Sequence, residues 1–158
     1  MVFIFKDIAI NILPGFKFST SAAKREIKFS DADKKSAWQI YVELATRIST
    51  QALHEDEGTE EAALSSLHTL FQDLRKIIRE NGPEAVESAR IGVFVLNIVL
   101  RPFMARWHKI VSARTLTDVE RKVFREELKE IQRSLKSYAT ELLKLLEIGD
   151  DKTLLGEF

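Results

Sequence analysis

Between Arg90 and Arg101 the chain reads Ile-Gly-Val-Phe-Val-Leu-Asn-Ile-Val-Leu, an apolar stretch with a single amide side chain in it. A segment apolar on nearly every side has to be enclosed, by other elements of the fold or by lipid. A spanning helix needs about 20 such residues, and this run stops at about half of that, bracketed by arginines. The expected result is the innermost helix of a domain whose remaining helices each offer one apolar stripe.

Those stripes are present. From Ser30 onward apolar positions recur at three- and four-residue spacing, the helical period. Ser30 followed by Asp33 reads as an N-cap with an acid at the third position. It opens a helix over 31–51 with Ala37, Ile40, Tyr41, Leu44, Ala45 and Ile48 on one face, and Glu43 and Arg47 as an i,i+4 pair. Thr59 caps a second helix, with Glu60 and Glu61 in its first turn and Leu64, Leu67, Leu70, Phe71, Leu74, Ile77 and Ile78 as its stripe. Asn81-Gly82-Pro83 ends that helix and starts a third over 83–111, which Pro102 is expected to kink by withholding one backbone donor. Thr117 and Glu120 form a capping box for a fourth, over 117–147. There Phe124, Leu128, Ile131, Leu135, Tyr138, Leu142 and Leu145 alternate spacings of four and three, a coiled-coil-like seam.

Four long helices on short connections make a mainly α fold, an up-down four-helix bundle over 31–148, the expected architecture. Residues 1–30 differ from the rest. Phe3, Ile4, Phe5, Ile8, Ile10, Ile12 and Leu13 are strand formers, Pro14-Gly15 is a turn signal, and Phe16–Ser19 and Ile27–Ser30 each alternate apolar with polar. A small β-hairpin or meander packed on the bundle is expected, with an amphipathic helix over 2–13 as the alternative. Residues 149–158 are expected to fray beyond Gly149. With 158 residues the chain fits one domain with a sizeable core.

Twenty-four basic and twenty-four acidic residues give zero formal net charge. That argues against a nucleic-acid partner and against strong attraction to anionic lipid. The absence of cysteine excludes disulfides, zinc fingers, thiolate nucleophiles and iron–sulfur ligation. The apolar N-terminus has no basic leader and is interrupted by Lys6 and Asp7, so a cytoplasmic location without an integral membrane span is expected. Surface attachment through residues 1–15 would require them to form an exposed amphipathic helix. Glycine-rich phosphate loops, Gly-x-Ser-x-Gly, His-Glu-x-x-His and the paired Glu-x-x-His of diiron bundles are all missing. Asp31 and Asp33 lack the glycine and final glutamate of a calcium loop. No catalytic residue, metal or cofactor is therefore assigned. The acidic run Glu55–Glu61 beside His54 reads as a helix start or a weak cation site, and His68 as a solvated side chain.

One cluster carries chemistry. At about 100° per residue, Asn97, Arg101 and His108 fall on one side of the third helix, at the border of its apolar face near Trp107. Arginine offers a donor fork for phosphate or carboxylate, and histidine transfers protons near neutral pH. Arg47 and Gln51 approach the cluster if the helix ends meet. The plainer reading has Arg101 and Arg106 solvated or paired with the Glu55–Glu61 acids, and Trp107 packed over the end of the core. The seam from Phe124 to Leu145 points to a non-enzymatic module that binds a protein partner or itself as a homo-oligomer. The alternative is a small-molecule or anion-binding domain built on Arg47, Gln51, Asn97, Arg101, Trp107 and His108.

Three segments carry a resemblance: Ala37-Trp38-Gln39-Ile40-Tyr41-Val42-Glu43-Leu44-Ala45-Thr46-Arg47-Ile48, Glu60-Glu61-Ala62-Ala63-Leu64-Ser65-Ser66-Leu67, and Val95-Leu96-Asn97-Ile98-Val99-Leu100-Arg101-Pro102-Phe103 with Trp107-His108. Together they resemble a family of uncharacterised bacterial helical proteins. The resemblance implies a bacterial origin and a self-standing single domain, and supplies no catalytic residues.

Overall fold

Each long helix begins where its capping chemistry directs. A computed structural model describes residues 2–47 and 58–148 and shows a mainly helical protein with a two-stranded sheet at its N-terminal end. Ser30 and Asp33 form a reciprocal capping box at the start of α3 (Asp31–Ala45), Thr59 caps α4 (Glu60–Asn81), and Thr117 with Glu120 boxes the start of α7 (Asp118–Leu145). Gly82 ends α4 at φ 70°, a left-handed conformation that glycine adopts without cost. The expected continuation of the first helix over 48–51 lies outside the described residues, as does the tail 149–158.

At the N-terminus a small antiparallel sheet is present as expected, and most of the strand-forming run folds as the helix named as the alternative for 2–13. Residues 5–12 are helical: α1 (Phe5–Ile12) buries Phe5, Ile8, Ala9 and Ile12, an i, i+3, i+4, i+7 stripe that satisfies a helix as well as strand propensity would satisfy a sheet. The meander shrinks to β1 (Phe3–Ile4) and β2 (Glu26–Ile27), antiparallel with Phe3 opposite Ile27, and a short α2 (Thr20–Ala23) lies between them in sequence. Phe16 and Phe18 are not in a strand. Their rings pack edge-on against each other at 4.7 Å and reach Phe94 at 5.2 and 6.3 Å. The alternating apolar positions of this segment serve an aromatic cluster, not a ladder. The segment 2–30 is thus helical and aromatic more than β-rich.

The central helix is composite. After a 3-10 turn at Pro83–Ala85 come α5 (Val86–Phe94), a π-helical stretch at Val95–Leu100, and α6 (Arg101–Ala113). Two causes act together. Pro102 has no N–H to return to the carbonyl of Ile98, and the Arg101 N–H reaches back instead to Leu96, five residues away. The buried positions Ile91, Val95, Val99, Phe103 and Trp107 also recur at every fourth residue. On a straight α-helix that spacing drifts about 40° per step. A wider turn in the middle holds the stripe on the core. The disruption expected at Pro102 takes this form. By length and composition the helix Pro83–Ala113 could cross a membrane, and half of its most apolar window is buried inside the fold.

The seam of α7 is also internal. Phe124, Leu128, Ile131, Leu135, Tyr138, Leu142 and Leu145 are all buried, and α7 packs on α1, α3 and α4. The seven-residue pattern therefore describes contacts within one chain, and offers no free stripe to a second copy.

Candidate anion cleft

The polar cluster expected at the end of the third helix does not converge. Arg47 donates to Glu43 at 2.7 Å and also to Asp73 on α4, so it is engaged beside α3. Gln51 lies outside the described residues. Trp107 is 1% exposed; its Nε1 donates to Glu127 Oε2 at 2.7 Å, and its ring sits 5.1 Å from that of Phe124. The Arg106 guanidinium lies over the Trp107 ring at 4.9 Å and pairs with Glu127. Trp107 and Arg106 thus fasten α6 to α7. They have structural work, and among the described residues the partner of Arg106 is Glu127.

Asn97, Arg101 and His108 separate into two clefts, both between α4 and the composite helix. His108 lines a cleft of about 310 Å3 with Glu61, Leu64, Ser65 and His68 of α4 and Met104, Val111 and Ser112 of α6. His68, expected only as a solvated side chain, joins His108 there. Among the described residues no group of three or more histidine, aspartate or glutamate side chains has an arrangement that holds a metal ion.

The second cleft, about 300 Å3, takes Asn97 and Arg101. Its other lining residues are Phe71, Arg75, Ile78 and Arg79 of α4, Val93 of α5, and Leu96 of the π-helical stretch. Phe71 and Leu96 are buried and form an apolar floor, whereas the three arginines and Asn97 are exposed around it. The Arg101 guanidinium lies 5.6 Å from the centre of the Phe71 ring. Gly92 permits the close approach of the two walls, since a Cβ there would come 2.7 Å from Cδ1 of Ile78. No carboxylate of the described residues lines this cleft.

Charge pairing sets these arginines apart. Arg25, Arg47, Arg90, Arg106, Arg114, Arg125 and Arg133 each hold a carboxylate. Arg75, Arg79, Arg101 and Arg121 form no ion pair with any described residue; Arg121, on α7, lies near the Glu60 charge, and the other three line this one cleft. Arg75 and Arg79 stand one turn apart on α4, a like-charge spacing that opposes helix stability in isolation. Arg101 faces them from the other wall. Sequence reasoning found Arg101 and Asn97 but missed Arg75 and Arg79, which lie outside the apolar stripe of α4. Neither Arg75, Arg79 nor Arg101 has an acid three or four residues away on its helix, but neither do Arg106 and Arg125, which pair across helices with Glu127 and Glu60, so spacing along the chain could not single the group out.

Of the acidic run, residues 54–57 lie outside the described residues. Glu60 is 6% exposed and accepts from Arg125 Nε at 2.9 Å. Burial pushes its carboxyl up, but the Arg125 hydrogen bond, a backbone hydrogen bond and the charges of Arg125 and Arg121 outweigh it, leaving the group below its ordinary value. Glu60 thus holds α4 to α7.

A scan of protein-family models matches no family. Searches of curated proteins and of solved structures likewise return no match.

Proposed function

We propose that this protein is a binding domain for a small anion, held between α4 and the composite helix by Arg75, Arg79 and Arg101 with Asn97 beside them. The observation that carries this reading is the convergence, at one apolar-floored cleft, of three arginines without a carboxylate among the described residues. Unpaired guanidinium groups repel one another, and an anion seated among them removes that repulsion while accepting charge-assisted hydrogen bonds. Isothermal titration with inorganic pyrophosphate tests it. Saturable binding is expected for the intact chain, weakened by about tenfold or more in Arg75→Gln and in Arg101→Gln. Arg133→Gln, which removes an arginine paired with Glu130 outside the cleft, should bind like the parent. Equal binding by parent, Arg75→Gln and Arg101→Gln would overturn the proposal.

We also propose that α3, α4, the composite helix and α7 form an up-down bundle, supported by the packing of α3 on α4 and α7 and of α4 on α6. A cytoplasmic location is proposed on the partial burial of the apolar 83–113 helix. Membership of the uncharacterised bacterial family rests on the three segments that resemble it. Self-association is a second reading. With the α7 seam enclosed, the apolar side chains that favour it are Trp38 and Val42, 45% and 37% exposed and one turn apart on α3. Light scattering tests this reading: a dimer that Trp38→Glu converts to monomer supports it, and a monomeric parent removes it.

A further inference from the structure

Resting on the anion-binding reading, we infer that the cleft takes a soluble phosphate monoester whose remaining part is a small, flat, apolar ring. Charge comes first. Three guanidinium groups with no carboxylate in the lining leave three positive charges to be met. A monocarboxylate meets one of them. A phosphate monoester carries about −1.5 to −2 at neutral pH and three acceptor oxygens, so each oxygen can take a fork from a different arginine. Arg75 and Arg79 approach from α4 and Arg101 from the opposite wall, which suits a tetrahedral group gripped on two sides better than a planar carboxylate.

The rest of the lining describes the remainder of the ligand. Phe71 and Leu96 form a buried floor, and Ile78 and Val93 continue it up the walls. This surface offers nothing to a second charged group. The Arg101 guanidinium already covers the Phe71 ring at 5.6 Å, so a flat ring entering here stacks on the outer face of the guanidinium, beside the apolar walls. Asn97 at the rim offers a donor and an acceptor that can orient one polar substituent. The volume of about 300 Å3 lies at the low end for small-molecule sites, which favours a single ring over a dinucleotide.

The same phosphate monoester chemistry occurs on the headgroup of phosphatidic acid, and the test separates the two sources. Phenyl phosphate, inorganic phosphate and benzoate are titrated into the full chain, and phosphatidylcholine vesicles carrying phosphatidic acid are co-sedimented with it. Phenyl phosphate is expected to bind at least about tenfold more tightly than inorganic phosphate or benzoate. Val93→Ser, at a wall position 44% exposed and so tolerant of change, should narrow the gap between phenyl phosphate and inorganic phosphate. If benzoate or inorganic phosphate matches phenyl phosphate while Arg75→Gln weakens all three, the ligand class is wrong and the anion cleft stands. Sedimentation with the vesicles without binding of phenyl phosphate overturns the soluble ligand. If no anion binds, both this inference and the anion cleft fall.

Discussion

Asp33 holds two helix starts with one carboxylate. Its Oδ2 accepts from the Ser30 backbone N–H at 2.9 Å, while its Oδ1 accepts from the backbone N–H groups of Glu87 and Ser88 at 3.0 and 2.9 Å. The side chain is 1% exposed, and the charge it buries is met by the unpaired donors at the starts of α3 and α5. Asp33→Ala leaves those donors without partners in the interior, so it should cost about 2–4 kcal/mol in urea unfolding. Ser30→Ala, which removes the exposed half of the same box, should cost about 1 kcal/mol. Glu120 works at the surface instead. The hydrogen bond from Arg114, together with the Thr117 backbone N–H, pulls its carboxyl down to about 2 from an ordinary 4.5. A group whose folded value is depressed contributes stability above its unfolded value and loses it as pH falls through the folded one. The contribution of this pair should therefore fade between about pH 4.5 and pH 2. A carbon-detected carboxyl titration of Glu120 checks this, with Arg114→Gln expected to raise its midpoint.

At the scale of elements, the composite helix shows how a local irregularity serves packing. Its π-helical stretch keeps Ile91, Val95, Val99, Phe103 and Trp107 on one buried face. Inserting one alanine after Ile98, 39% exposed, would add a residue that the already widened turn does not absorb and rotate α6 relative to α5 by about 100°. Phe103 and Trp107 would then leave the core, at a cost above about 3 kcal/mol by thermal unfolding. Ile98→Ala keeps the register and should change stability by less than about 1 kcal/mol. Much of this level is legible in the sequence. Caps at Ser30, Thr59 and Thr117 depend on residues three apart, and the stop at Asn81-Gly82-Pro83 depends on local backbone chemistry, so each can be read without tertiary knowledge. The segment around α1 was not legible, because its side chains fit both a strand and a helix until Phe94 and α7 supply the surface they cover. The site was half legible for the same reason. Asn97 and Arg101 stand at the edge of an apolar face, but their grouping with Arg75 and Arg79, and their separation from His108, depend on how α4 crosses the composite helix.

At the scale of the whole molecule, zero formal net charge conceals an uneven distribution. Most arginines hold a carboxylate, and those around one cleft do not. The α7 seam, which in sequence looks like an invitation to a second chain, is occupied by the protein's own α1, α3 and α4. Leu142, 0% exposed, illustrates the consequence. Leu142→Asp should unfold the chain, at a cost above about 4 kcal/mol, and circular dichroism should report loss of helix instead of dissociation into folded monomers. The central claim is that the three arginines of the α4 cleft share one anion. Nitrogen-15 spectra of the arginine Nε–Hε groups during a pyrophosphate titration observe all the arginines of the molecule at once. Arg75, Arg79 and Arg101 are expected to shift together along one saturating curve while Arg106, Arg125 and Arg133 stay in place. Shifts spread evenly over paired and unpaired arginines, or no saturable shift at those three, would contradict it.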